Sequence, residues 1–178
     1  MINALSNRSA YPCLDQNIYL NQASLGLLSN ETVNEMTEFL STVARHGNLK
    51  MTDREEANFL SPLRVKVARL LQAKQENIAL VSSASEILSQ IPELCKPRIG
   101  SKVLLVSTDF PAITRPWLLK AKTSDFEVCF IHEVPEIDLT NAIIEKVDPN
   151  TSVVCLSYVQ FASGTPVSYT HLRAHETQ

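Results

Sequence analysis

The sequence predicts an α/β fold, a mainly parallel sheet with helices on both faces in three α/β/α layers. Two observations carry that prediction. From Ile78 onward, apolar runs of roughly four to six residues alternate with helical stretches of about ten, the pattern of successive βαβ units. In addition, no internal repeat, low-complexity tract or long flexible linker interrupts the alternation.

Two helical regions precede it. Ser29-Asn30 supplies N-cap chemistry, and Glu31 and Glu35 suit the positive end of a helix dipole. Apolar residues then recur at Val33, Met36, Leu40 and Val43, and Gly47 with Asn48 ends the helix. A second region starts near Thr52. Ser61-Pro62 breaks it, and since proline is tolerated best in a first turn, a new helix is expected there. Leu63, Val67, Leu70 and Leu71 are expected to face inward, with Arg64, Lys66 and Arg69 on the solvated side. The alternation follows, with apolar runs at Ile78–Val81, Lys102–Val106, Phe126–Ile131 and Ser152–Ser157. Helices are expected between them at Ala84–Cys95, Ala112–Lys122 and Leu139–Val147.

Composition narrows the function classes. The 178 residues are 44% hydrophobic and 20% charged, which is the range of a globular chain. The net charge of −3 offers no basic face for a nucleic acid. No apolar run approaches the roughly 18 residues of a membrane span, and Met1 to Tyr11 lacks the apolar stretch of a signal peptide. A cytoplasmic protein without membrane or nucleic-acid partners is the expectation. Cys13, Cys95, Cys129 and Cys155 lie far apart, with no C-x-x-C pair, so reduced thiols are expected and no metal site.

The end of the chain reads differently. Val167 to Thr177 resembles one reading frame of the transposase adapter used in sequencing libraries. On that reading 167–178 is a non-native tail, and the rest is the front part of a longer protein. His171 and His175 stand at helical metal-ligand spacing but belong to this tail, so no metal is assigned to them.

In open α/β sheets ligands bind beyond the carboxyl ends of the strands, which directs attention to three loops. They are Ser82-Ser83-Ala84-Ser85-Glu86, Ser107-Thr108-Asp109-Phe110-Pro111, and Tyr158-Val159-Gln160-Phe161-Ala162-Ser163-Gly164. The first places small hydroxyl residues between a strand end and a helix start, where free amides and the dipole favour an anion such as phosphate. Ser83-x-x-Glu86 is equally a capping box, which needs no ligand. No G-x-G-x-x-G and no Walker lysine loop is present. Phe110 is placed either to lie over an aromatic ligand or to pack as a core aromatic, and Gln160 and Phe161 are equally open by themselves.

Taken together, these segments resemble the large domain of class V aminotransferase and cysteine desulfurase-like enzymes, the fold type I group dependent on pyridoxal 5'-phosphate (PLP). The resemblance runs in order from Tyr19 to about Gly164. Tyr19-Leu-Asn-Gln-Ala-Ser-Leu-Gly26 is similar to the family's opening loop, which implies substrate-binding roles for Asn21, Ala23 and Ser24. Ser82 to Glu86 is similar to the Gly-Ala-Thr-Glu turn that holds the cofactor phosphate. It implies cofactor contacts from Ser83, Ala84 and Ser85, with Ser85 in the threonine's place and Ser83 replacing the glycine. Thr108-Asp109-Phe110-Pro111 with Arg115-Pro116-Trp117 resembles the segment whose aromatic residue stacks on the pyridine ring, so Phe110 takes that role. Desulfurases usually carry histidine there. Val159 to Gly164 resembles the loop reaching the cofactor face through Gln160 and Phe161, the latter replacing an asparagine usual in desulfurases.

The resemblance implies residues 1–16 as an N-terminal arm beginning the small domain and 17–166 as a partial PLP-binding large domain. It also implies a homodimeric parent acting on a small amino-acid substrate, by transamination, C–S or C–C cleavage, or epimerisation. The family's Schiff-base lysine and its acid opposite the pyridine nitrogen correspond to positions after Gly164. No catalytic residue is therefore assigned within the chain, and the chain by itself is expected to be inactive. A non-catalytic scaffold and a domain binding another phosphorylated ligand are the alternatives.

Overall fold

The computed structural model describes residues 7–49 and 51–175, which divide at Ile78 into two compact units. The first contains α1 (Asn30–His46), α2 (Asp53–Asn58) and α3 (Ser61–Leu70). Ser29 Oγ accepts the Thr32 amide at the start of α1, and Gly47 ends it at φ +55°, a conformation that costs glycine little. α2 opens with a reciprocal box, Thr52 Oγ1 accepting from the Glu55 amide while the Glu55 carboxylate accepts from the Thr52 amide. Pro62 sits in the first turn of α3, where its missing N–H leaves no helical bond unmade.

Of the inward face expected for α3 only Val67 is partly buried. Ala68 is its buried residue, whereas Leu63, Leu70 and Leu71 are 50%, 81% and 63% exposed. The helix stops at Leu70, Ala73 N–H folds back to the Ala68 carbonyl, and Gln72 turns the chain at φ +52°. The helical period therefore does not extend to Leu71, and no described element of this unit covers that side.

The second unit carries the sheet. Its order is α4 (Ala84–Cys95), β1 (Ser101–Val106), α5 (Pro111–Ala121), β2 (Phe126–Ile131), α6 (Leu139–Lys146), β3 (Thr151–Cys155) and α7 (Tyr169–His175). The strands are parallel in the order β2-β1-β3, with Val103 opposite both Val128 and Val153. The register between β1 and β3 slips by one residue at Ser152. The Ser152 hydroxyl accepts from the Arg98 amide and shares a hydrogen bond with the Ser101 hydroxyl, which holds the irregularity.

Side chains alternate across β1. Val103 and Leu105 join Trp117 and Phe126 on one face, with Ile91 of α4 packed against them. Leu104 and Val106 join Ile131, Leu139, Ile143, Leu156 and Val167 on the other. A strand with both faces covered has to be apolar at every position, which is why Val103–Val106 reads as an unbroken run. Val167, Ser168 and Tyr169 are seated on the α6 face, with Leu172 packed against the same cluster. Val167 is buried, Ser168 N–H donates to Thr140 Oγ1, and the Tyr169 hydroxyl donates to the Leu156 carbonyl.

The run at Ile78–Val81, expected as the first strand, belongs to no ladder among the described residues. Ile78 is extended, at φ −104° and ψ 112°. Both edges of the central strand are taken by β2 and β3, and the segment does not extend the sheet at the outer edge of either. Among the described residues no helix is long and apolar enough to cross a membrane.

Ile143 is fully buried at the centre of the α6 face. Ile143→Ala should destabilise the second unit by about 2–5 kcal/mol, measured as a shift of its urea unfolding transition.

Candidate functional site

The strands are parallel, so their carboxyl ends and the helix starts that follow them lie together. α5 begins at Pro111, directly after the turn that leaves β1. α4 runs beside α5, and the Lys120–Glu93 ion pair joins their later halves, so both helices start at the same end. An open groove of about 820 Å³ lies between them. Ser85, Ser89 and Phe110 line its beginning, and Leu119, Lys122 and Thr123 its far end.

At the start of α4, Ser83 is the N-cap and its Oγ accepts the Glu86 amide at 3.2 Å. The Glu86 carboxylate reaches back to the Ser82 hydroxyl at 2.6 Å and the Ser82 amide at 2.8 Å. Those two hydrogen bonds, the hydroxyl's first, hold the Glu86 carboxyl below the usual range. The capping box is thus real, displaced by one residue from its reciprocal form. It leaves the amides of Ala84 and Ser85, in the first turn of the helix, without an acceptor among the described residues. Two free amides and the Ser85 hydroxyl at a helix N-terminus form a donor set suited to a phosphate.

Phe110 is the N-cap of α5 and is 44% exposed. Its ring meets that of Phe161 edge to face, with centroids 5.0 Å apart and planes at 70°. Phe161 is 64% exposed and stands on a loop that folds back on itself. Gln160 N–H donates to the Thr165 carbonyl, Val167 N–H donates to the Tyr158 carbonyl, and Gly164 turns at φ +73°. Gln160 itself is only 2% exposed. Its Nε2 donates to the Ser157 carbonyl, while its Oε1 is buried without a partner among the described residues. An orphaned acceptor of this kind is costly unless something else satisfies it.

Two carboxylates that the sequence reading left without a role assemble these loops. Asp109, 5% exposed, accepts the Phe110 amide and the Ser157 hydroxyl on Oδ1 and the Ser157 amide on Oδ2, each at 2.7 Å. The turn after β1 is thereby fastened to the exit of β3. Glu133, just past β2, accepts the Thr108 hydroxyl on Oε2 and the Ser163 hydroxyl on Oε1, both at 2.7 Å. Burial pushes its carboxyl up, but the hydroxyls of Thr108, Ser163 and Thr165 outweigh that and hold it below the usual range. The only advance signals were an Asp directly before Phe-Pro and an acid shortly past a strand.

The nine residues expected at a site divide between the two units. Ser83, Ala84, Ser85, Phe110, Gln160 and Phe161 all lie in the second, on the strand-end loops or the helix starts beside them. Asn21, Ala23 and Ser24 belong to the first, in an exposed turn where the Asn21 carbonyl accepts the Ser24 and Leu25 amides. Among the described residues no three His, Cys, Asp or Glu side chains converge on a common point; the His175 side chain lies outside them. All four cysteines are free, and burial pushes the thiols of Cys129 and Cys155 up, which disfavours the reactive thiolate.

A family profile described as aminotransferase class-V matches residues 18–177. No curated protein sequence matches the chain. Among solved structures, a lysine-to-alanine mutant of C-DES with glycine covalently linked to its PLP cofactor is similar, with a TM-score of 0.78 at 16% identity. The match covers 95% of this chain and 45% of that one. The cysteine desulfurase CsdA (S-sulfonic acid) from Escherichia coli is similar with a TM-score of 0.72 at 22% identity, over 95% and 45% of the two chains. C-DES, a cystine C–S lyase, in complex with its reaction product cysteine persulfide gives 0.74 at 16%, over 92% and 44%. The chain therefore spans a little under half the length of these structures.

Asp109→Asn would set an amide NH2 against a donor whichever way it turned. The substitution should destabilise the second unit by about 1–3 kcal/mol in urea unfolding. Glu133 titrates lower folded than unfolded, so the stability it contributes is present above the ordinary glutamate range and lost as pH falls through its folded value. The unfolding free-energy difference between wild type and Glu133→Gln should be constant between about pH 6 and 8 and shrink below about pH 4.

Proposed function

This chain belongs to the aminotransferase class-V family, and on that premise we propose that it supplies the cofactor-binding part of a PLP-dependent enzyme acting on a small amino acid. One observation carries the reading. Ser85, whose amide is unpaired beside that of Ala84 in the first turn of α4, and the half-exposed Phe110 line the same end of one groove between α4 and α5. A phosphorylated aromatic molecule needs that pairing of anion donors with an aromatic face.

The residues fit the cofactor. Ala84, Ser85 and the Ser83 cap would hold its phosphate, and Phe110 would lie against its pyridine ring, with Phe161 fixing the tilt of Phe110. The orphaned Oε1 of Gln160, in the residue before Phe161, is an acceptor still without a donor. When bound, PLP supplies an electron sink for bonds at the α-carbon of an amino acid. The chain's own contribution is to bind, to orient and to shield one ring face from water.

We assign the covalent lysine to none of the residues here. Lys102 is paired with Asp148 and with the Lys146 carbonyl at the other end of the sheet, and Lys120 with Glu93. The part proposed for the chain alone is to bind and not to catalyse. The whole protein is proposed to be a cytoplasmic homodimer that transaminates, cleaves C–S or C–C bonds, or epimerises. The opening turn at Asn21, Ala23 and Ser24 would serve the substrate. Phenylalanine at 110 and at 161, in place of the usual histidine and asparagine, weighs against a typical desulfurase.

The Glu86 carboxylate on Ser82 favours one rival, a helix cap that binds nothing. Calorimetric titration with pyridoxamine phosphate, which lacks the reactive aldehyde, separates the two. Saturable binding that inorganic phosphate competes for is expected. Ser85→Asp should abolish it by repulsion, and Phe110→Ala should weaken it about tenfold. Absence of binding, or binding indifferent to Ser85→Asp, would leave the capping role alone.

A further inference from the structure

We infer that Glu133 is a positioning residue for the aromatic pair, holding Phe110 and Phe161 at the angle that makes one ring face available. The inference rests on the cofactor reading above and assigns a part of its machinery.

The topology makes the role specific. β1 is the central strand, with β2 and β3 on either side and no ladder between them. The two aromatic rings come from different loops, Phe110 from the turn leaving β1 and Phe161 from the loop that follows β3. Asp109 fastens the β1 turn to the start of the β3 exit at Ser157, but that tie ends four residues short of Phe161. Glu133 supplies the missing constraint from the far side of the sheet. It passes over the central turn, takes the Thr108 hydroxyl two residues before Phe110, and reaches Ser163 two residues after Phe161.

Each aromatic residue is thus gripped on a neighbouring residue by one and the same carboxylate. The grip extends further, because Ser163 Oγ also accepts the Thr165 amide at 3.2 Å, and the Thr165 carbonyl accepts the Gln160 amide. The loop carrying Phe161 is therefore anchored at its tip as well as at its base. A carboxylate is the one side chain that can accept from both hydroxyls at once without spending an acceptor oxygen on a donor group. Glutamine at this position offers a single acceptor oxygen and turns an NH2 toward one of the two hydroxyls. Tilting of either ring by loss of its anchor would turn the stacking face away without touching the phosphate donors at Ala84 and Ser85.

The experiment uses the whole chain and reads pyridoxamine phosphate affinity by calorimetry and amide exchange by mass spectrometry. Glu133→Gln is expected to weaken affinity about tenfold and to speed exchange across 158–165, with exchange in the strands unchanged. Ser163→Ala and Thr108→Val should each reproduce part of the loss. Adding Glu133→Gln to the Ser163→Ala, Thr108→Val pair should cost nothing more, because the carboxylate acts through those two hydroxyls. Wild-type binding with equal affinity and equal exchange in Glu133→Gln would overturn the positioning role and leave the cofactor reading intact. A wild-type chain that does not bind pyridoxamine phosphate would remove both. Inorganic phosphate affinity is the internal control. It should be the same in wild type and Glu133→Gln, and a parallel loss there would overturn a role confined to the rings.

Discussion

The second unit depends on one buried carboxylate. Asp109 accepts from the Phe110 amide and from both the amide and the hydroxyl of Ser157, so a single side chain closes the space between two strand ends. A buried charge is tolerated only when donors surround it, and here the backbone supplies two of the three. Each consequence follows in turn. The Phe110 amide is fixed, so α5 starts at Pro111, and α5 with α4 forms the groove that Ser85 and Phe110 line at one end. The Ser157 end is fixed too, and from it the chain continues into the loop that brings Phe161 to Phe110.

Beneath this polar layer the sheet combines its parallel ladders with burial on both faces. β1 contributes Val103, Leu104, Leu105 and Val106 alternately to two apolar clusters. Trp117 and Phe126 close one face, and Ile143 with Leu139 closes the other. The arrangement separates stability from chemistry. Hydrophobic residues make a rigid platform whose parallel strands all end on one side, and the polar groups able to bind a ligand are gathered there. Cys129 and Cys155 lie on that platform.

Much of this was legible in the sequence. Phe126–Ile131 and Ala84–Cys95 have the predicted limits, because period and capping chemistry both act within a few residues. The Ser83–Glu86 box was readable for the same reason. Other features depend on contacts that no local pattern encodes. The apolar run at Ile78–Val81 looks like a strand, yet it pairs with neither outer edge of the sheet, and no local pattern encodes whether a run finds a partner. Leu70 and Leu71 continue a helical stripe on paper, while Gln72 turns the chain beneath them. Asp109 and Glu133 escaped notice because their partners, Ser157 and Ser163, are 48 and 30 residues away.

The central claim is that the strand-end loops and the start of α4 form one cup for a phosphorylated aromatic ring. Amide NMR of the isotopically labelled chain, titrated with pyridoxamine phosphate, tests it most directly. The account requires the largest shifts at the Ala84 and Ser85 amides, together with ring-current shifts on the Phe110 side chain. Shifts centred instead on Lys102 and Asp148, at the opposite end of the strands, or spread evenly over exposed cations, would contradict it.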